Sequence, residues 1–61
     1  ANMLYIEEWF KNTDGRMQYK TIGKSDDWRV ADRIMRDADT TNEVSITNSD
    51  GETIARKRRA I

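Results

Sequence analysis

The chain has 61 residues, with 11 Lys+Arg balanced by 11 Asp+Glu and no His, Cys or Pro. That composition excludes disulfides and thiolate zinc sites, and it removes the commonest general base and the commonest metal ligand. Hydrophobic residues at 36% and charged residues at 36% limit a single small domain to a core of about a dozen side chains, burying roughly 60% of the unfolded surface. No run approaches the roughly 20 apolar residues of a membrane span, and no signal-peptide pattern opens the chain. A cytoplasmic protein that does not engage a membrane is therefore expected. Ala1 and Asn2 precede Met3 and are left out of the reading.

Residues 3–11, Met-Leu-Tyr-Ile-Glu-Glu-Trp-Phe-Lys, are rich in aromatic and β-branched types and predict a strand. Asn12-Thr13-Asp14-Gly15 follows, and Met17 to Ile22 predicts a second strand. Ser25 is the expected N-cap of a helix, with Asp26 and Asp27 where the helix dipole favours negative charge. Trp28, Ala31, Ile34, Met35 and Ala38 then recur at spacings of three and four, with Val30 at the edge of the stripe. Arg29–Asp32, Asp32–Arg36 and Arg33–Asp37 are spaced to meet on the opposite face. Val44 to Thr47 alternates as a third strand, Asn48-Ser49-Asp50-Gly51 repeats the earlier spacer, and Thr53 to Lys57 predicts the fourth. In each spacer the Asn bonds the turn backbone and the Gly closes a three-residue loop in the left-handed region. The expected fold is α+β: a small antiparallel sheet from two β-hairpins packed on one α-helix, in the order β-β-α-β-β.

A Thr13-Asp14-Gly15 loop sets Asn12 opposite Arg16, Phe10 opposite Gln18 and Ile6 opposite Ile22. Leu4, Ile6, Phe10 and Ile22 then share one face. Met3, Tyr5, Trp9, Met17 and Tyr19 share the other, with Glu7 and Lys11 among them. The same loop length in the second hairpin sets Ile46 opposite Ile54, beside Val44. One helix covers one face, so the expected core is Leu4, Ile6, Phe10, Ile22, Val44, Ile46 and Ile54 under Trp28, Ala31, Ile34 and Met35. The aromatic face is left toward water, where exposed apolar patches often mark interaction sites. The inverse packing, with the aromatics inside, is the alternative, and coverage of that face by the Glu7, Lys11 and Lys20 stems is another.

Catalysis finds little to use. The hydroxyls of Ser25, Ser45 and Ser49 have no histidine to activate them. Glu7 and Glu8 are strand neighbours that point to opposite faces, and the helix dipole accounts for Asp26 and Asp27. Asn48-Ser49-Asp50-Gly51 resembles the middle of a calcium loop, but Ile46 and Lys57 stand at its two decisive ligand positions. Gly15, Gly23 and Gly51 are scattered and form no phosphate loop. No enzymatic activity, metal or cofactor is expected.

Arg56-Lys57-Arg58-Arg59 concentrates positive charge, and the rest of the chain carries seven bases against eleven acids. Residues 37–52 hold five acids and no base. Such a basic run can grip phosphates while nearby aromatics stack on bases, or it can serve as a solvated edge that discourages strand pairing.

Three stretches, Met3 to Asn12, Ser25 to Ile34 and Val44 to Ala55, cover nearly the whole chain. In architecture and pattern they resemble small phage-encoded inhibitors, a group that includes several anti-CRISPR proteins and small inhibitors of bacterial host enzymes. These families share no diagnostic motif, so the resemblance assigns no site residue. It implies stoichiometric binding to a bacterial defence or host complex, in the host cytoplasm. The leading expectation is a protein-binding module using Tyr5, Trp9, Met17 and Tyr19, with Arg29, Arg33 and Arg36 as polar contacts. The competing expectation is a nucleic-acid-binding protein using the hairpin aromatics with Arg56, Lys57, Arg58 and Arg59. A homodimer that buries the apolar face against itself is compatible with either.

Overall fold

Two turns of the same chemistry set the topology. In the computed structural model, which describes residues 2–58, Asn12 Oδ1 accepts from the backbone N–H of Asp14 and of Arg16 at 2.9 and 3.0 Å. Asn48 Oδ1 does the same for Asp50 and Glu52 at 3.0 and 2.9 Å. Gly15 and Gly51 close the loops at φ 82 and 85°, a region that disfavours any side chain. Each turn therefore has the expected three-residue loop, with Asn12 bonded to Arg16 and Asn48 to Glu52.

The strands are β1 (Leu4–Lys11), β2 (Met17–Ser25), β3 (Val44–Asn48) and β4 (Thr53–Lys57), with helix α1 (Trp28–Asp37) between the hairpins. They form one antiparallel sheet in the order β2-β1-β3-β4, so β1 and β3 are central and β2 and β4 are edges. This is the expected β-β-α-β-β fold.

Each hairpin carries one irregularity that the expected registers lacked. Phe10 does face Gln18, but Ile6 faces Gly23 and Glu7 faces Thr21, which leaves Ile22 as the extra residue of a bulge. Likewise Ile46 faces Ala55 and Thr47 faces Thr53, with Ile54 as the extra residue. Both isoleucines are consequently exposed rather than in the core. Gly23 takes the place expected for Ile22, and a Cβ there would lie 3.2 Å from Ile34 Cδ1 and Cγ2. Gly23 thus leaves room for the Ile34 side chain of the helix to lie close against the strand backbone.

The core is Leu4, Ile6, Val44 and Ile46 beneath Ala31 and Met35, with Ile34, Ala38 and Ala55 packed against it. Phe10 is half-buried and outside this cluster. The helix-side position before it is Glu8, already covered by the loop after the helix, so Phe10 lies beyond the helix's reach. Trp28 is 47% exposed rather than buried. Helical side chains tilt toward the N-terminus, which carries this first helical residue past the end of the stripe. The N-cap is Asp27, whose carboxylate accepts from Arg29 N–H at 2.8 Å. Ser25 instead ends β2, and its hydroxyl accepts from Asp27 N–H at 3.0 Å. Of the three helical ion pairs expected, Asp32–Arg36 forms, at 2.8 Å.

Candidate functional site: the outer face of the sheet

Alternation and register assign the face that the helix leaves uncovered. From β2 across to β4 it carries the rows Tyr19–Trp9–Glu43–Arg58, Thr21–Glu7–Ser45–Arg56 and Lys24–Tyr5–Thr47–Thr53. Lys11 and Met17 lie beside the first row. The Tyr5, Trp9, Met17 and Tyr19 group is thus brought together on the face away from the core, as the pattern of the first hairpin predicts. The inverse packing is excluded.

The aromatics differ in how far they are held. Trp9 is half-buried, and its indole N–H donates to Ser45 Oγ at 2.8 Å, tying β1 to β3. Tyr19 packs on Trp9 with ring centroids 4.9 Å apart and a 49° tilt, within the range of favourable aromatic pairing. Tyr19 and Met17 are 52% and 56% exposed on the edge strand, whereas Tyr5 is half-buried. Among these four side chains the exposed apolar surface therefore lies over β2, with Tyr19 backed by a fixed tryptophan.

Two polar residues in the middle of this face were not legible as structural. Ser45 is 1% exposed and Glu7 is 8% exposed. Glu7 Oε1 accepts from the Thr47 hydroxyl at 2.9 Å. Their burial arises from flanking Tyr5, Trp9 and their cross-strand neighbours, a property of the assembled sheet. The strand pattern placed Glu7 on this face and carried no sign that it would be enclosed.

Arg29, Arg33 and Arg36 are exposed on the side of α1 turned away from the sheet. With Trp28, Asp32 and Asp37 they line a shallow groove of about 420 Å³. Arg36 is paired with Asp32, while Arg29 and Arg33 have no ion pair among the described residues. These arginines lie on the opposite side of the molecule from the aromatic face, so the two expected halves of one contact surface are separated by the fold.

The basic run is also divided. Arg56 lies on the outer face opposite Ser45. Lys57 turns to the helix side, where its ammonium donates to the Arg36 and Ala38 carbonyls at 2.8 and 3.0 Å. Arg58 pairs with Glu43 at 3.1 Å. Arg59 lies outside the described residues. Strand alternation thus turns Lys57 to the helix side and leaves Arg56 and Arg58 on the outer face, where Arg58 is already paired with Glu43.

On the helix side, Glu8 accepts from the Thr40 hydroxyl at 2.6 Å and the Asn42 amide at 2.9 Å. These two bonds, with the Lys20 ammonium at 3.7 Å, hold its carboxyl below the ordinary glutamate value of 4.5. The contacts pin the loop after α1 onto β1 and account for the carboxylate structurally. Among the described residues no acidic cluster forms a metal site, and no helix is long and apolar enough to cross a membrane. No family model matches this chain, and no curated protein or solved structure shows significant similarity to it.

Proposed function

We propose that the protein is a non-enzymatic binding module that docks a protein partner on the outer face of its sheet. The observation that carries this reading is the exposure of Tyr19 and Met17 on one face of β2, with Tyr19 packed on a tryptophan held by Ser45. Tyr and Trp are enriched among residues that dominate interface energetics, and a pre-ordered aromatic loses little entropy on binding. Lys11, Lys24 and Arg56 stand around the aromatics as a polar rim. The likeness of the chain's pattern to small phage inhibitors extends the reading to stoichiometric inhibition of a bacterial defence or host complex.

The test uses the immobilised protein to capture partners from a bacterial lysate, in parallel with Tyr19→Ala and Trp28→Ala variants. A partner retained by the parent and by Trp28→Ala, and lost by Tyr19→Ala, supports the outer face. The expected loss for Tyr19→Ala is about 2 kcal/mol, or roughly 30-fold in affinity, with little change in stability. Equal capture by all three proteins rejects the reading. Nucleic acid is the other outcome: anisotropy with labelled oligo(dT) at ~50 mM salt would then show binding that weakens steeply with salt. Lys57 and Arg58 already have partners within the chain, and no such binding is expected.

A further inference from the structure

The aromatic side chains over β2 belong to a strand whose other flank pairs with no strand among the described residues. Asn12 and Arg16 are a hydrogen-bonded pair at 2.8 Å, so bonding to β1 continues on alternate β2 residues, Gln18 and Lys20. Trp9 confirms the phase, since its N–H donates away from β2, to the Glu43 carbonyl at 2.9 Å. The backbone groups of Met17, Tyr19 and Thr21 must then point outward from the sheet. The edge that offers hydrogen bonds and the face that offers apolar side chains are built from the same residues.

This edge differs from the one on β4. Strand β2 has nine residues and β4 has five, and β2 is regular from Met17 to Thr21 before its bulge at Ile22. From Gly15 to Ser25 its charged residues are Arg16, Lys20 and Lys24, with no acid. Lys20 contacts Glu8 yet keeps a side chain 65% exposed. Edge lysines repel strands of like charge, and the same charges select an acidic one. They also disfavour a second copy of this chain, because pairing β2 with itself would gather six cations and no anion along one seam.

We propose that the free edge of β2 accepts an extended acidic segment of the protein partner as a fifth strand. Main-chain bonds to Met17, Tyr19 and Thr21 supply affinity, while Arg16, Lys20 and Lys24 choose the segment by charge. The proposal rests on the outer-face reading and specifies what kind of partner that face takes.

The probe is a short capped peptide of alternating glutamate and valine, with a lysine–valine peptide as the control. Amide hydrogen exchange is followed by NMR on the whole chain. The glutamate peptide is expected to slow exchange at Met17, Tyr19 and Thr21 by about tenfold or more, and the lysine peptide to leave it unchanged. A variant carrying Arg16→Glu and Lys24→Glu should lose the effect. Unchanged exchange at the three amides overturns the proposal, as does equal protection by both peptides. Protection that rises with protein concentration in the absence of peptide would assign the edge to a second copy and also overturn it. Thr21→Pro separates this inference from the reading beneath it, because it deletes an outward N–H and leaves Tyr19 and Met17 in place. A partner that survives Thr21→Pro and is lost by Tyr19→Ala would reject the edge and retain the face.

Discussion

Ile22 and Ile54 show how a single extra backbone residue decides whether an isoleucine is core or surface. Ile6 and Ile46 are fully buried, while their expected cross-strand mates are displaced into bulges and exposed. Ile6→Ala should therefore cost about 3 kcal/mol, a large share of the stability of so small a domain. Ile54→Ala should stay within about 0.5 kcal/mol. Urea titrations of both variants check the contrast, and equal losses would return Ile54 to the core. Glu8 gives a residue-scale effect of pH. Its folded value lies below 4.5, through the bonds from Thr40 and Asn42 and the nearby Lys20. It therefore contributes stability that is present above the ordinary glutamate value and is lost as pH falls through the folded one. Glu8→Gln keeps an acceptor oxygen and removes the charge. Its stability should be lower than that of the parent at neutral pH and should decline less on acidification, as read by thermal melts from pH 7 downward. Parallel curves for the two proteins would show that the Glu8 charge has no part in folding.

At the scale of elements, what could be read from the sequence was what local chemistry decides. Both hairpin loops follow from an Asn that bonds two following N–H groups and a Gly at positive φ, all within five residues. The helix stripe through Ala31, Ile34 and Met35 was legible for the same reason. The bulges were not, because each depends on how a strand is fitted to the partners it meets in the assembled sheet. Gly23, in contact range of Ile34, was the one available hint, since a glycine inside a strand often marks a bulge or a close backbone approach. No comparable signal precedes Ile54. The N-cap moved from Ser25 to Asp27 because β2 runs on to Ser25, a consequence of pairing with Leu4 that lies far away in sequence. Lys57 shows the same dependence. It reads as one of four basic residues, yet its ammonium holds two carbonyls at the C-terminal end of α1, where a cation is favoured by the dipole. Lys57→Met keeps most of the stem and should destabilise the protein by about 1 kcal/mol. A chemical denaturation midpoint unchanged from the parent would remove Lys57 as a tie between β4 and the helix.

For the molecule as a whole, the sheet has one face filled by the helix and one that presents aromatics, and the helix in turn presents arginines on its far side. The sequence pattern already implies their separation, since it sets the helix on the aliphatic face of the sheet and the arginines on the helix's solvated side, yet both sets were expected as one contact surface. A partner docked on the outer face meets Tyr19, Met17 and the rim cations, while Arg29 and Arg33 remain behind the sheet and helix. Rim charges act mainly on the rate of encounter, whereas a buried aromatic anchor acts on dissociation. Tyr19→Ala should accordingly accelerate dissociation from a captured partner by roughly 30-fold. Lys24→Ala should slow association modestly, by an amount that shrinks as salt rises. A protein carrying Arg29→Ala and Arg33→Ala should match the parent in both rates, since neither residue can reach the same surface. Surface plasmon resonance with each variant reads these rates directly. A loss with the double arginine variant as large as that of Tyr19→Ala would mean that the partner wraps both sides, and docking on the sheet face alone would have to be abandoned.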